Sequence, residues 1–336
     1  MSNDKNKTDK NIFNTLLIYG ATGTGKTREI GAVALDIWKR YGKRTRLISA
    51  DGGGWGSIQD YVDAGLIAPL NISDAETPLT QLRRLARGDW PHDGGWLMRD
   101  KDPRWKQVGM YAIEGFSSIS SMILRDQVDK GRKISEELAA KFTEKDADTD
   151  EPFTFGSPGR AHYGFAQNFI LELIRHFQAL MNYGVHQILF TSLEAAGEDR
   201  TSKQKILGPA AAGNALTSVI PQRVGDLIHL DIVGVPDGKA TRDEYRAYYT
   251  NHTDPDVGRA WPAKLRLGPE ATAFAQQSTK FQKGYIVLND QGVERAGVAE
   301  LLRWRDEMAQ SGVEKLKSLM AGHKKEEQTA PAVGAK

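Results

Sequence analysis

The chain of 336 residues contains no cysteine. This absence excludes disulfides, thiolate zinc sites and cysteine nucleophiles, and it is typical of a protein in a reducing compartment. No apolar run approaches the roughly 18 residues that a membrane-spanning helix needs. The first residues, Met1 to Lys7, also lack the apolar segment of a signal peptide. We therefore expect a soluble, cytoplasmic protein.

Charge of one dominant sign is missing too, since the formal net charge at pH 7 is only +2. The field of the whole molecule therefore does not indicate a nucleic-acid partner, and local patches would have to bind one. Internal repeats and heptad runs are absent, which argues against solenoids and coiled coils. The length suits one large α/β domain with insertions.

One specific motif is present near the start of the chain. It follows the apolar run from Leu16 to Tyr19 and fits the pattern G-x-x-x-x-G-K-[ST], in the strand, loop and helix order that this pattern requires. Its members are Gly20, Ala21, Thr22, Gly23, Thr24, Gly25, Lys26 and Thr27. Backbone N–H groups and the start of the helix would surround a phosphate. We predict that the motif binds ATP, that Lys26 reaches the β- and γ-phosphates, and that Thr27 binds Mg²⁺.

Two later strands are predicted to end in an acid, and a third in two hydroxyls. The strand from Thr45 to Ala50 is followed by Asp51, and the strand that begins at Val108 closes with Glu114. A further strand ends at Thr191 and Ser192. Ligands of parallel sheets bind at the carboxyl edge, where these residues would meet the phosphate loop.

Each of these residues has a candidate role and a plainer explanation. Glu114 would hold Mg²⁺, although an acid there is often only the first polar residue of a loop, and Asp is more usual than Glu. Asp51 would orient or deprotonate the attacking water, because we expect its strand to lie beside the loop strand. It could equally be a turn-forming Asp before glycine. Thr191 and Ser192 would sense the γ-phosphate, or would simply end a strand.

The order of these segments carries a resemblance. Leu-Ile-Tyr-Gly with the loop, Leu-Ile-Ser-Ala-Asp ending at Asp51, and Tyr-Ala-Ile-Glu-Gly-Phe-Ser-Ser from Tyr111 resemble the RecA-type ATPases. The chain looks most like small phage-encoded P-loop ATPases of the AAA/RecA-like group, some of which act with single-strand-annealing recombination. Later segments that begin at Gly208, Ile220 and Trp261 continue the similarity in order.

The resemblance implies an α/β fold: a RecA-like P-loop NTPase core with a mainly parallel central sheet flanked by helices, with insertions. It also implies a homo-oligomer, because Lys264 and Arg266 match the position from which RecA-like subunits supply cations to a neighbour's γ-phosphate. Without the resemblance, Lys264 and Arg266 would be two solvated cations beside a Trp-Pro turn.

The resemblance extends over residues 12–268, which we predict to be the ATPase core, with a charged insertion at about 126–158. The insertion is expected to contain a helix and a loop. Residues 269–321 would form a C-terminal extension. The polar segments 1–11 and 322–336 would be disordered tails.

Three kinds of partner remain open. Single-stranded DNA would be held by Arg200, Lys203 and Lys205 on a loop from Glu198 to Lys205, with Arg160, His162 and Tyr163 adding cations and an aromatic ring. The same loop could be a solvated charged loop. Alternatively, a protein-assembly ATPase would use the charged stretch from Lys130 to Asp150, with Phe153 and Phe155, to dock a partner. A small-molecule kinase, with Arg83, Arg84 and Arg87 as a lid, is the third class.

Overall fold

The structure is a computed structural model. It describes residues 14–51, 55–73, 77–142, 160–198, 205–211, 214–238, 240–253, 260–265, 284–288, 297–307, 309–310 and 314. The predicted tails, the second part of the insertion, Phe153, Phe155, Arg200, Lys203 and Arg266 lie outside these ranges.

Strands and helices alternate through the first two thirds of the chain. The strands are β1 Asn14–Gly20, β2 Arg44–Ser49, β3 Ile67–Asn71, β4 Trp90–His92, β5 Gly95–Leu97, β6 Val108–Glu114, β7 Gln187–Ser192, β8 Glu194–Glu198, β9 Lys205–Pro209, β10 Asp226–Asp237, β11 Ala240–Tyr248, β12 Thr250–Thr253, β13 Ala260–Lys264 and β14 Tyr285–Val287. The helices are α1 Lys26–Tyr41, α2 Gln59–Asp63, α3 Pro78–Ala86, α4 Phe116–Phe142, α5 Arg160–Ala179 and α6 Asn214–Arg223. A further helix, here called the C-terminal helix, comprises residues 297–307.

Six strands form the parallel part of the main sheet, in the order β3-β2-β6-β7-β1-β10. On the far side of β10 the sheet continues with β11 and β13, which are antiparallel to β10. A hairpin of β8 and β9 completes it, because β9 pairs with β13. The carboxyl ends of the six parallel strands share one edge, which is the edge of the phosphate loop.

The core has two layers because side chains alternate across the sheet. Leu17 and Tyr19 of β1 face the layer that contains α3, α4, α5 and α6. Leu16 and Ile18 face the opposite layer, which contains α1 and the C-terminal helix. The predicted fold class, α/β with a mainly parallel central sheet flanked by helices, is thus confirmed.

The order of the strands corrects one expectation. We expected the strand that precedes Asp51 to lie beside the loop strand, and this is wrong, because β6 and β7 separate β2 from β1. Apolar runs predict strands but not their order, since each helical crossover can carry the chain past several positions in the sheet. Asp51 is therefore three strands away from the phosphate loop.

Two predicted loops contain regular structure. The stretch from Glu198 to Lys205 was expected to be a loop, but its end residues pair with each other across the β8–β9 hairpin. The Trp-rich stretch after Gly88 contains the small β4–β5 hairpin. It is anchored by Arg46 of β2, whose buried guanidinium donates to the Asp102 carboxylate and stacks 4.7 Å from the Trp90 ring centroid. A buried ion pair and a cation–π contact therefore hold this segment on the sheet.

The C-terminal helix is fixed to the core by two buried carboxylates. Glu29 of α1 accepts a hydrogen bond from the backbone N–H of Val298 at 2.6 Å. At the opposite edge of the sheet, Arg305 donates to Asp226, which also accepts a bond from the Asn14 side chain at 2.5 Å. In the described ranges, no helix is both long and apolar enough to cross a membrane.

Candidate functional site: a phosphate loop with a carboxylate on each flank

The predicted phosphate loop joins β1 to α1. Gly25 precedes the helix with a left-handed φ of 89°, a conformation that favours glycine. Lys26 opens the helix, and its ammonium group donates to the carbonyls of Gly20 at 3.0 Å and Ala21 at 2.6 Å. A phosphate bound in the loop would compete with these two carbonyls as the acceptor for the Lys26 ammonium group.

Gly20, the first glycine of the motif, lies too close to the neighbouring strand to carry a side chain. A Cβ atom at this position would collide with the carbonyl oxygen of Leu230 on β10. The end of the loop strand therefore lies against the neighbouring backbone, and any side chain at residue 20 would displace it. The first glycine of the motif is explained by this close approach.

The second predicted metal ligand lies beside the loop. Glu114, the last residue of β6, accepts a short hydrogen bond from the Thr27 hydroxyl through Oε1. Its side chain is buried, and burial raises the pKa of the carboxyl group, while the bond from Thr27 acts in the opposite direction. Two residues 87 positions apart in the chain are thus brought into contact.

This pair suits a divalent cation. Among the described residues, the second oxygen of Glu114, Oε2, has no hydrogen-bond partner although it is buried. A buried carboxylate oxygen without a partner is costly, and a hard cation would satisfy it. The Thr27 hydroxyl is an oxygen ligand of the kind that Mg²⁺ prefers, so the donor set fits the predicted ion.

Asp51 lies on the Glu114 side of the loop and is exposed. Its Oδ1 accepts a hydrogen bond from the Ser118 hydroxyl of α4 at 2.5 Å. Gly115 lies directly against the Asp51 carboxylate, since a Cβ atom there would be 2.6 Å from Oδ1. Asp51 is therefore near Glu114 but points toward the first turn of α4.

The two hydroxyls at the end of β7 have different surroundings. Thr191 Oγ1 accepts a hydrogen bond from the backbone N–H of Gly115 at 3.3 Å, which places Thr191 beside the Glu114 end of β6. Ser192 donates to the carbonyl of Ala210 at 2.9 Å and is turned toward the end of the hairpin. Of the two predicted phosphate sensors, Thr191 is the one that contacts the segment after Glu114.

Glu194 is a third acid at the loop, and our interpretation of the sequence missed it. Burial lowers the pKa of Lys26, and three carboxylates raise it in the order Glu194, Asp51 and Glu114. Glu194 therefore has the strongest field of the three at the loop lysine. Its own pKa is lowered, chiefly by a hydrogen bond with His229, so it is ionised near neutral pH.

The partners of Glu194 belong to a cluster of stacked rings. His229 Nε2 lies 3.2 Å from Glu194 Oε2, and Trp261 Nε1 donates to the same oxygen at 3.4 Å. His229 Nδ1 lies 3.2 Å from His252 Nε2, and the rings of His252 and Trp261 are stacked with centroids 5.1 Å apart. Tyr248 stacks on His252 at 3.8 Å. One signal could have revealed this cluster, since a histidine inside a buried strand needs a polar partner.

Of the two proposed trans-acting cations, the structure describes only Lys264, the last residue of β13. Lys264 pairs with Leu227 of β10, which itself pairs with Leu17, three residues before Gly20. β13 is antiparallel to β10, so Lys264, its last residue, lies toward the sheet edge opposite to the phosphate loop.

Comparisons with known proteins add little to this geometry. No protein-family model matches the sequence, and no curated protein matches it. Among solved structures, the flagellar accessory protein FlaH of Methanocaldococcus jannaschii overlaps with a TM-score of 0.41 and 10% identity, over 84% of this chain and 88% of FlaH. A KaiC-like protein of Pyrococcus horikoshii OT3 overlaps with a TM-score of 0.33 and 13% identity, over 70% and 77% of the two chains.

Proposed function

We propose that the protein is a magnesium-dependent ATPase of the RecA-like group. The observation that supports this most directly is the hydrogen bond between Thr27 of the phosphate loop and Glu114 at the end of β6. A hydroxyl and a carboxylate that meet beside a phosphate loop are the ligands that such enzymes use to hold Mg²⁺ with the triphosphate. Lys26, at the same edge, supplies the positive charge that the phosphates need.

Each group has one task in hydrolysis. The loop N–H groups and Lys26 bind and orient the phosphates, and Thr27 and Glu114 would hold the cation. Mg²⁺, when bound, neutralises the charge that develops on the β- and γ-phosphate oxygens. Asp51 would orient the attacking water, since its exposed carboxylate lies beside Glu114. Thr191 would donate its hydroxyl proton to the γ-phosphate while it still accepts the bond from Gly115.

Assembly is proposed to complete the site. Lys264 and Arg266 would neutralise the γ-phosphate of a neighbouring subunit in the transition state. The direction of β13 supports this, because it leads Lys264 away from the subunit's own loop. Hydrolysis would then depend on a homo-oligomer.

Single-stranded DNA is the proposed partner, in recombination or replication. Lys205 is the first residue of β9, and Arg200 and Lys203 lie in the sequence between β8 and β9, the hairpin that begins two residues after β7. Glu194, the first residue of the same hairpin, bonds His229 of the ring cluster, which would couple the hairpin to a nucleotide bound at the loop. Following the resemblance, we also propose a phage origin and a place in the host cytoplasm.

A protein-assembly ATPase is the second candidate. It is favoured by an apolar groove of about 330 Å³ between α3 and α5, lined by Phe165 and Phe169 with Arg83 and Arg87 at its rim. Phe165 in this groove is 39% exposed and stacks on Phe169, so the groove presents an aromatic surface to a partner. The same groove argues against a kinase lid, because Arg83 stacks on the Phe169 ring and Arg84 on the Trp96 ring.

The ATPase rate per subunit, measured against protein concentration with and without single-stranded DNA, tests these proposals together. We expect the rate to rise with concentration as the trans site forms, and to rise again with DNA. A rate that stays constant on dilution would reject the role of Lys264 and Arg266. Absence of DNA stimulation at low salt would favour the protein-assembly ATPase.

A further inference from the structure

The side chain of Glu194 crosses β1, the strand that leads into the phosphate loop. β1 lies between β7 and β10, with Tyr19 in register with Ser192 on one side and His229 on the other. Glu194 follows two residues after Ser192, yet its carboxylate bonds His229 on β10. The side chain therefore crosses the end of β1, directly before the phosphate loop begins at Gly20.

Among the described residues, the hydrogen bonds to the Glu194 carboxylate all end on one of its two oxygens. Both bonds, from His229 Nε2 and Trp261 Nε1, end on Oε2. Within the described ranges, Oε1 accepts no hydrogen bond, although the side chain is only 27% exposed. One oxygen is thus fixed by two N–H donors, and the other has no partner among the described residues, while the carboxylate acts electrostatically on Lys26 of the loop.

His252 fixes the orientation of His229. Burial, together with the neighbouring His229, lowers the pKa of His252 to about 4, so His252 is neutral at physiological pH. A neutral His252 carries its proton on Nδ1, which lies 3.4 Å from the carbonyl oxygen of Thr250, so its Nε2 accepts a hydrogen bond from His229 Nδ1–H and holds that ring with Nε2 facing Glu194. This is the arrangement by which a base is held by a second and a third group.

We propose that Glu194 is the proton acceptor in ATP hydrolysis, with His229 and His252 as positioning residues. This inference rests on the proposed ATPase function. A water oxygen forms a bond to the γ-phosphorus, the bond from the γ-phosphorus to the bridging oxygen breaks, and the water proton passes to Glu194 Oε1 and then to solvent. ADP leaves with the bridging oxygen. In the loose transition state of phosphoryl transfer, the attacking water keeps most of its proton. A weakly basic carboxylate in the right position is therefore sufficient as the acceptor.

Asp51 and Glu194 would have different tasks, which substitutions separate. An amide can still orient a water molecule, but it cannot accept the proton. We expect Glu194→Gln to lower kcat by about 10²-fold or more with little change in KM for ATP. Asp51→Asn should lower kcat by less than about tenfold. The glutamine oxygen can still accept the bonds from His229 and Trp261, so the fold should survive.

A pH profile distinguishes positioning from mere packing. The titratable groups that face Glu194 are Lys26 of the loop, Tyr19 of β1 and His229 of β10. His229→Phe keeps a ring in the stack but removes the bond that lowers the pKa of Glu194. Since only the ionised carboxylate accepts a proton, activity is lost as pH falls through its pKa. The acid limb of kcat should therefore move to higher pH in His229→Phe, and a purely structural role would leave it in place.

The possible results distinguish a failure of the proposed ATPase function from a failure of the proposed role of Glu194. If the wild-type protein neither binds nor hydrolyses ATP, the ATPase proposal and this inference both fail. If it hydrolyses ATP and Glu194→Gln retains the wild-type kcat, only the inference fails. A loss of kcat in Asp51→Asn that exceeds the loss in Glu194→Gln would likewise reassign the proton to Asp51. An unmoved acid limb in a folded His229→Phe protein would remove the positioning role.

Discussion

The hydroxyl of Thr27 donates a hydrogen bond to the carboxylate of Glu114 across 87 residues of chain. This contact joins the start of α1 to the end of β6, with β7 standing between β6 and the loop strand. Glu114 is therefore a buried partner of the loop, and its role as a Mg²⁺ ligand stays a prediction.

The Thr27–Glu114 pair is expected to govern the response to Mg²⁺. Thr27→Ala and Glu114→Gln should each lower kcat by about 10²-fold and raise the Mg²⁺ concentration needed for half-maximal activity, because each removes an oxygen ligand. The measurement is ATPase rate against Mg²⁺ concentration. Thr22→Ala is the matched control, since Thr22 is an exposed loop residue with no expected contact to the cation. An unchanged magnesium curve in both variants would contradict the assignment.

Subunit assembly predicts complementation between two inactive proteins. A Lys264→Ala protein retains its own phosphate loop, and a Lys26→Ala protein retains the cations for its neighbour. Mixing the two should therefore restore part of the ATPase activity that each lacks alone. Failure of all mixing ratios to restore activity, with oligomers present by light scattering, would contradict a trans role for Lys264.

The DNA proposal predicts a change in salt dependence. If Arg200, Lys203 and Lys205 each neutralise one phosphate, replacing all three with Ala should reduce the slope of log affinity against log salt by about 2. The measurement is a titration of fluorescent single-stranded DNA at several salt concentrations. A triple variant at the exposed Lys39, Lys101 and Lys106 controls for net charge. Equal slopes in the two variants would contradict the proposal that Arg200, Lys203 and Lys205 bind the DNA phosphates.

The buried ion pair between Arg305 of the C-terminal helix and Asp226 of β10 is expected to stabilise the fold. Arg305→Ala removes the cation that is paired with the buried Asp226 carboxylate, so the free energy of unfolding should fall by about 3–5 kcal/mol. Arg303→Ala on the same helix removes a cation whose side chain is 46% exposed and should cost less than about 1 kcal/mol. Denaturant unfolding of both variants measures the difference. Equal losses of unfolding free energy would show that the Arg305–Asp226 ion pair does not fix the helix.

Part of this architecture could be predicted from the sequence because it is local. The strand before Gly20 and the strand before Glu114 are apolar on both faces, which marks them as buried parallel strands. The position of β7 between β1 and β6 could not be predicted, since crossovers leave no local signal, and the expectation for Asp51 failed for that reason. Glu194 was missed because its partner His229 lies 35 residues away in the chain.

The most direct test of the account is calorimetric binding of ATP to the wild-type protein and to Lys26→Ala, with and without Mg²⁺. Lys39→Ala, a change to an exposed lysine on the same helix, is the control. We predict binding by the wild-type and control proteins that strengthens with Mg²⁺, and at least about tenfold weaker binding by Lys26→Ala. No binding by the wild-type protein, or equal affinity in all three, would contradict a nucleotide site at this loop.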